Sequence, residues 1–283
     1  MTTQTKSKPL LAVQDLHTHF HTFAGTVKAV NGVSFEVGAG EVMGLVGESG
    51  GGKSVVGFSI LGLIDSPGKI EGGQILLDGQ DLVSAGENRL RQVRGREISM
   101  VFQDPLMSLN PVYRVGWQIA EALIAHKGLS RAAAMDEAVQ MLDAVGVPDA
   151  RRRARAYPHQ LSGGQQQRVA IARVLMQKAE IILADEPIAS LDPESARKVM
   201  DILKDINERD GKTVIVTLHQ VEYARKYCGR AVALKNGELY FDGESAALSD
   251  ERLANIYGAT SMAIDCQKTP KNLRLMEIHF YLL

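Results

Sequence analysis

A glycine-rich segment carries the clearest chemical signal in this chain. It consists of Gly47, Glu48, Ser49, Gly50, Gly51, Gly52, Lys53 and Ser54. The pattern G-x-x-x-x-G-K-[ST] builds a loop whose backbone N–H groups point at phosphate oxygens, with a lysine for the β- and γ-phosphates and a hydroxyl for Mg²⁺. The segment therefore predicts binding of a nucleoside triphosphate. Kinases, GTPases and motor ATPases share the pattern, so it does not fix the class of enzyme.

Two adjacent carboxylates are of the kind needed to hydrolyse a bound phosphate. Hydrolysis of a γ-phosphate needs a Mg²⁺ ion and a carboxylate that orients the attacking water. Asp185 and Glu186 directly follow the apolar run 181–184, which predicts metal binding by Asp185 and a general-base role for Glu186. A polar pair at the end of a strand is common by itself. The apolar run and the upstream glycine loop favour the catalytic interpretation.

Two further polar residues follow apolar runs in the same way. Gln103 comes after 98–102, and its side-chain oxygen is a candidate ligand for Mg²⁺ or water. His219 comes shortly after 213–217, and we expect it to contact the γ-phosphate and to position Glu186. A lone glutamine is usually a surface residue and a lone histidine is usually structural, so both interpretations depend on the neighbouring residues.

The elements that must hold these residues follow from the hydrophobic pattern. The run 42–46 leads into the glycine loop, and a helix is predicted from Lys53 to about Leu63, which is the strand–loop–helix context that the motif requires. Apolar runs that alternate with helices, such as 193–209, predict an α/β fold with a mostly parallel core sheet. Two further strands, 10–20 and 33–37, are predicted in an antiparallel β-layer. The other predicted core strands are 98–102, 181–184, 213–217 and 231–234, and a helical insertion is predicted over 105–160.

Composition narrows the class of protein. The 283 residues are 45% hydrophobic with a net charge of -1, which predicts one large α/β domain with an inserted subdomain. A nearly neutral chain has no overall positive field to attract nucleic acid, so we expect no nucleic-acid partner. Cys228 and Cys266 lack metal-ligand spacing. The sequence contains neither an apolar leader nor about 18 consecutive apolar residues, so neither export nor membrane spanning is expected.

A second short segment distinguishes between the nucleotide-binding classes. Leu161, Ser162, Gly163, Gly164 and Gln165 precede an arginine-bearing helix and resemble the signature of ATP-binding cassette (ABC) proteins. The N–H groups and dipole of a helix that is predicted from about Gln165 would form a second phosphate-binding surface. The resemblance implies that the signature faces ATP held by the opposite subunit of a dimer, with Asp192 at the seam between the subunits.

The resemblance to ABC proteins covers about residues 10–258 and implies further assignments. The segment 102–105 resembles the Q-loop of the family. An aromatic residue of the first strand is expected to stack on adenine; Phe20 is the best match and Phe23 a near alternative, while packing of Phe20 inside the β-layer is equally open. The implied domains are a core of 1–104 and 161–258, a helical subdomain of 105–160 and a tail of 259–283 with no assigned role.

The two halves of the chain resemble different ABC importer ATPases. About residues 10–160, including the segment 101–111 (VFQDPLMSLNP), look like dipeptide, oligopeptide and nickel importer ATPases. About residues 161–258, including 165–173 and 182–197, look like phosphonate importer ATPases. In importers of this kind the permease docks on the Q-loop and helical subdomain, which lie in the peptide-like half. Peptide import is therefore the first hypothesis and phosphonate import the second.

The resemblance also implies cofactors, partners and location. The expected cofactors are ATP and Mg²⁺. The expected partners are a second ABC ATPase subunit, identical or related, multi-span permease subunits and, indirectly, an extracytoplasmic solute-binding protein, with the chain on the cytoplasmic face of the inner membrane. A rival class is a soluble cassette that acts on nucleic acid or ribosomes, which usually carries two cassettes, coiled coils or zinc insertions. An inactive nucleotide switch is disfavoured because Lys53, Asp185, Glu186 and His219 are all present.

Overall fold

The computed structural model describes residues 8–257. The predicted tail of 259–283 lies outside these residues. Within the described range the strands are β1 (Leu11–Thr22), β2 (Gly25–Val37), β3 (Val42–Gly47), β4 (Gly68–Leu77), β5 (Gln80–Asp81), β6 (Ile98–Val101), β7 (Ile181–Ala184), β8 (Thr213–Leu218), β9 (Arg230–Lys235) and β10 (Glu238–Glu244).

Helices cover the sheets and form a group of their own. Within the same range they are α1 (Lys53–Ile60), α2 (Glu87–Val93), α3 (Pro105–Ser108), α4 (Val115–Lys127), α5 (Arg131–Ala144), α6 (Ala150–Arg153), α7 (Gly163–Gln177), α8 (Pro193–Asp210), α9 (Val221–Tyr227) and α10 (Asp250–Tyr257), with short 3-10 turns at Pro158–Gln160 and Ser245–Ala247. None of the helices in this part of the chain combines the length and the apolar character needed to cross a bilayer.

The core sheet has the strand order β10-β9-β3-β8-β7-β6. Strands β9, β3, β8, β7 and β6 run parallel to one another, and β10 at the edge is antiparallel to β9. Every residue of β7 and β8 is buried, because side chains of α8 cover one face of this sheet while α1 and the second sheet cover the other. The predicted mostly parallel core sheet is therefore present.

The second sheet is the antiparallel layer β2-β1-β4-β5. The predicted alternation along β1 is interrupted near Asp15, whose φ of 46° accompanies a shift in register against β2. Strand β2 begins at Gly25, well before the predicted 33, because it continues a hairpin in which Thr22 pairs with Gly25. The sequence pattern did not predict β4, whose three glycines dilute its apolar residues.

The helical group lies within residues 105–160 and packs on α7. Helices α4, α5 and α7 share an apolar cluster that includes Ile119, Leu123, Leu142 and Val169. Helix α1 ends at Ile60 instead of the predicted Leu63, because Gly62 adopts a left-handed φ of 62° that a helix cannot continue through.

Strand direction brings the candidate site residues to one edge of the core sheet. In the parallel pairs Val46 lies opposite Leu218, and Ala184 lies opposite Val216. Strands β3, β7 and β8 therefore end next to one another. Ligands of open α/β sheets bind at such carboxyl ends.

Candidate active site

The glycine loop, residues 47–54, joins the end of β3 to the start of α1. Gly47 has φ 152°, and a Cβ at this position would lie 2.4 Å from the carbonyl oxygen of Leu234. Gly52 has φ 96°, and a Cβ there would lie 2.3 Å from the carbonyl oxygen of Ala29. Only glycine fits both positions, because the neighbouring backbone cannot withdraw as the end of a flexible side chain can.

Lys53 folds back over this loop. Its Nζ donates to the carbonyl oxygens of Gly47 at 2.9 Å and Glu48 at 2.8 Å. The same Nζ lies 3.5 Å from Glu186 Oε1 and 3.4 Å from His219 Nδ1. The ammonium group thus sits between the loop and the edge of the sheet, where a bound phosphate would meet it.

Asp185 and Ser54 meet directly across the site. Ser54 Oγ donates to Asp185 Oδ1 at 2.9 Å, and the buried hydroxyl of Thr217 donates to the same oxygen at 2.8 Å. A hydroxyl and a carboxylate are hard oxygen ligands, which Mg²⁺ prefers. The donor set therefore fits the magnesium ion that the sequence predicts.

Glu186 is the centre of the polar cluster. Its Oε1 lies 2.5 Å from His219 Nε2, and its Oε2 accepts a hydrogen bond from Gln103 Nε2 at 3.0 Å. Its backbone has a left-handed φ of 43°, and its N–H donates to Thr217 Oγ1 at 2.7 Å. With Lys53, whose Nζ lies 3.5 Å from Oε1, residues from four separate segments of the chain meet at one carboxylate.

Burial is the largest influence on the charged groups of this cluster. It lowers the pKa of Lys53, against the opposing charge of Glu186. It raises the pKa of Asp185, against the hydrogen bonds from Thr217 and Ser54. Burial also acts to raise the pKa of Glu186, but the contacts of His219 and the charge of Lys53 together outweigh it, so this pKa is lowered. Glu186 is therefore ionised at neutral pH, as a general base must be.

Comparison with known families assigns this cluster to a class of protein. The sequence model described as "ABC transporter" matches residues 30–189, which include the glycine loop, Gln103, the signature and the two carboxylates. The chain belongs to the ABC transporter family. Accordingly this ABC cassette is an ATP-binding transport ATPase.

Named relatives match most of the ABC cassette. The oligopeptide transport ATP-binding protein OppD of Escherichia coli is 40% identical over 83% of this chain and 69% of its own length. The dipeptide transport ATP-binding protein DppD of Bacillus subtilis is 41% identical over 81% of this chain and 69% of its own length. These relatives confirm the predicted resemblance to importer ATPases.

Solved structures confirm the predicted fold class. The ABC cassette superimposes on the dimeric post-hydrolysis state of the ATP-binding cassette MJ0796 bound to ADP and Pi with a TM-score of 0.75 and 31% identity, covering 83% of this chain and 98% of that chain. CbiO1 of Clostridium perfringens, part of the ABC transporter complex cbiONQ, gives a TM-score of 0.72 at 26% identity, covering 89% of this chain and 97% of that chain.

The signature residues lie around the start of α7. The helix begins at Gly163, two residues before the predicted Gln165, because Ser162 caps it: Ser162 Oγ accepts from the Gln165 N–H, and Gln165 Oε1 accepts from the Ser162 N–H. Ser162 and Gly163 are exposed, whereas Leu161 and Gly164 are buried. The exposed tip is therefore accessible to a second molecule.

Asp192 lies beside the signature and caps the next helix. Its carboxylate accepts from the backbone N–H groups of Glu194 at 3.1 Å and Ser195 at 3.0 Å. A Cβ on Gly164 would lie 2.6 Å from Ser195 Oγ, so α7 and α8 approach closely at this point. Asp192 is exposed. Its role at a dimer seam stays a prediction.

The adenine-stacking residue also stays a prediction. Phe20 pairs with Gly68 of β4, and a Cβ on Gly68 would lie 2.6 Å from the Phe20 ring, so the ring packs closely on the β-layer. Phe23 is fully exposed in the turn between β1 and β2.

Two residues of the site were not predicted from the sequence. Thr217 stands out in the pattern only as a polar residue in an apolar strand. Tyr257, the last residue of α10, donates its hydroxyl hydrogen to the backbone carbonyl of His219 at 3.0 Å. Burial is the largest influence on the Tyr257 hydroxyl and raises its pKa to about 12, although a hydrogen bond from the Gly47 backbone acts in the opposite direction. The sequence gives no signal for this contact because it joins residues 38 positions apart.

Proposed function

We propose that this chain is the ATP-hydrolysing subunit of a membrane importer for dipeptides and oligopeptides. The observation that carries the proposal is the convergence of Lys53, Gln103 and His219 on Glu186 beside the phosphate loop. The OppD and DppD relatives, both named as peptide transport proteins, support the choice of solute. Closure of a dimer around ATP supplies the work of transport.

The chemistry assigned to the chain is in-line attack of water on the γ-phosphate. The loop N–H groups and Lys53 hold the phosphates. Ser54, Asp185 and Gln103 would hold Mg²⁺, which neutralises the developing charge when bound. Glu186 accepts a proton from the attacking water. At the same time the oxygen of that water bonds to the γ-phosphorus, and the bond between the γ-phosphorus and the bridging oxygen breaks. His219 keeps the Glu186 carboxylate oriented through the 2.5 Å contact.

The second half of the active site is assigned to another subunit. The exposed Ser162 and Gly163 at the start of α7 offer N–H groups and the positive end of a helix dipole to a γ-phosphate. The proposal places them against ATP in the phosphate loop of the opposite chain, with Asp192 at the seam. The dimeric form of MJ0796 bound to ADP and Pi supports such an arrangement.

The permease is proposed to dock beside the Q-loop on the cytoplasmic face of the membrane. Three large apolar side chains in the segment 106–113, which follows Gln103 in the chain, are at least half exposed: Leu106 at 51%, Val112 at 70% and Tyr113 at 51%. The buried Gln118 braces this loop, donating to the carbonyl oxygens of Asn110 and Tyr113. Exposed apolar side chains in the segment that follows Gln103 suit a partner that must signal to the site. An extracytoplasmic solute-binding protein would act through that permease.

A mixing experiment tests the shared active site. Lys53→Ala removes the phosphate-binding ammonium, and Gly163→Asp places a negative charge at the signature while suiting the N-terminus of α7, so the helix should fold. Each variant alone should lose turnover. In a mixed dimer one site combines an intact phosphate loop with an intact signature, so an equal mixture should recover about a quarter of wild-type activity by random pairing of subunits.

The mixing experiment has a matched control and a clear contrary result. Mixing Lys53→Ala with Glu186→Gln distinguishes shared sites from simple dilution: this mixture should stay inactive, because each possible site lacks either the lysine or the base. A Lys53→Ala and Gly163→Asp mixture that stays at background would contradict the two-chain site. Wild-type hydrolysis by Glu186→Gln would remove that residue from the base role.

The solute is tested separately through the permease. The full chain is co-expressed with a peptide-type permease pair and, in parallel, with a phosphonate-type pair. We expect co-purification and ATPase stimulation with the peptide-type pair only. The phosphonate alternative, which rests on the resemblance of about residues 161–258, is favoured instead if the chain binds only the phosphonate-type pair.

A further inference from the structure

One buried hydroxyl connects the two carboxylate residues of the site. Thr217 Oγ1 donates to Asp185 Oδ1 at 2.8 Å and accepts from the Glu186 backbone N–H at 2.7 Å. The residue is only 5% exposed. A hydroxyl has one hydrogen to donate, so this group directs its hydrogen to Asp185 and a lone pair to Glu186.

The bond to Glu186 acts on a strained backbone. A φ of 43° places Glu186 in the left-handed region, which residues other than glycine rarely adopt. Such a conformation persists only where the surroundings hold it in place. The hydrogen bond from the Glu186 N–H to Thr217 is a direct restraint on that peptide group, and the turn it supports determines the direction of the Glu186 side chain.

The bond to Asp185 acts on the proposed metal ligand. Asp185 Oδ1 accepts from both Thr217 and Ser54, which approach from β8 and α1. The carboxylate is therefore held between the strand and the phosphate-loop helix. Removal of the Thr217 hydroxyl would leave one of these two restraints.

Strand β8 and the residue that directly follows it provide two contacts to the same base. Thr217 holds the Glu186 backbone, and His219, two residues later, contacts its carboxylate at 2.5 Å. We propose that Thr217 is a positioning residue for ATP hydrolysis, which fixes Asp185 and Glu186 against β8 so that the base faces the attacking water. This inference rests on the proposed function, in which Glu186 is the base.

The test compares four variants of the full chain: Thr217→Val, Thr217→Ser, Thr213→Val and Glu186→Gln. Valine has nearly the shape of threonine but leaves the buried Glu186 N–H without its partner. We expect Thr217→Val to lower kcat by about tenfold or more, the factor that corresponds to loss of about one buried hydrogen bond. KM for ATP and the affinity for a fluorescent ATP analogue in EDTA should stay within about threefold, because the phosphate loop is unchanged. Thr217→Ser keeps the hydroxyl and should restore kcat.

Thr213 provides a matched control in the same strand. It is fully buried, and its hydroxyl accepts from the Gly40 N–H at 2.9 Å. It lies four residues from Thr217, on the same face of β8 but at the opposite end of that strand, where β8 begins. Thr213→Val should therefore reduce stability in urea much as Thr217→Val does while kcat keeps its wild-type value.

The possible results separate this inference from the proposed function. Wild-type kcat in Thr217→Val, together with lost turnover in Glu186→Gln, would overturn the positioning role and leave the base assignment standing. Equal losses of kcat in Thr217→Val and Thr213→Val would overturn it too, because the effect would then be one of stability. Wild-type turnover in Glu186→Gln would refute the proposed function itself. If Thr217→Val does not fold, Thr217→Ser must retain turnover and Thr217→Ala must lose it.

Discussion

Replacement of His219 by alanine isolates the strongest side-chain contact of the proposed base. His219 Nε2 lies 2.5 Å from Glu186 Oε1, and the Glu186 side chain is only 9% exposed. Hydrogen bonds to charged groups contribute about 1.5–3 kcal/mol. Loss of this bond should therefore lower kcat by about tenfold to a hundredfold, if the bond orients the base in the transition state.

The pH dependence of the variant provides an independent measure. Burial acts to raise the pKa of Glu186, and the contacts of His219 are the largest opposing influence. Without His219 the burial effect is less opposed, so the pKa of Glu186 should rise. A protonated base is inactive. The acidic limb of the kcat profile should consequently move to higher pH in His219→Ala.

The assay is the initial rate of phosphate release at saturating MgATP, measured from about pH 4 to 9 so that the window extends below the ordinary pKa of a glutamate. His21→Ala is a matched control, because His21 Nε2 contacts Glu71 Oε1 at 2.9 Å but is 52% exposed and lies on the β-layer. Water replaces such a surface contact readily, so the control should keep both its rate and its pH profile. A His219→Ala enzyme with kcat within about twofold of wild type and an unmoved acidic limb would refute the assigned role.

Three further predictions concern other parts of the molecule. Gly164→Ala places a methyl group 2.6 Å from Ser195 Oγ, so α8 must shift; light scattering in a hydrolysis-deficient background should show weaker ATP-driven dimerisation, whereas unchanged dimerisation would contradict the predicted seam. Tyr257→Phe removes the hydrogen bond to the His219 carbonyl and should cost about 1 kcal/mol in urea unfolding and lower kcat more than it raises KM; equal stability would show that the bond contributes nothing. Burial raises the pKa of Cys228 from 9.0 to about 12, so the unfolded thiol ionises first and stability is lost as pH rises from about 9 to about 12. Between about pH 8 and 10.5 the free energy of unfolding should fall by about 2 kcal/mol more in wild type than in Cys228→Ala, and parallel pH curves would refute this.

The sequence was most informative where a local pattern has a local cause. Apolar runs followed by glycine or a carboxylate located β3, β7 and the phosphate loop, because strand burial and loop conformation depend on nearby residues. The pattern failed for β4, where glycines break the apolar run, and for the early start of β2, where hairpin pairing extends the strand. It also placed the end of α1 three residues late, because it did not weigh the left-handed Gly62.

The sequence by itself determined the kinds of groups present: a phosphate-binding loop, a pair of carboxylates, a signature segment and a family resemblance that comparison with relatives confirms. Only the tertiary structure decided which groups touch. The Thr217 hydroxyl between Asp185 and Glu186, and the Tyr257 hydroxyl on the His219 carbonyl, join residues 31 or more positions apart. Hydrogen bonds depend on distances of a few tenths of an ångström and on direction, and for groups this far apart in the chain both are fixed by strand order and helix packing.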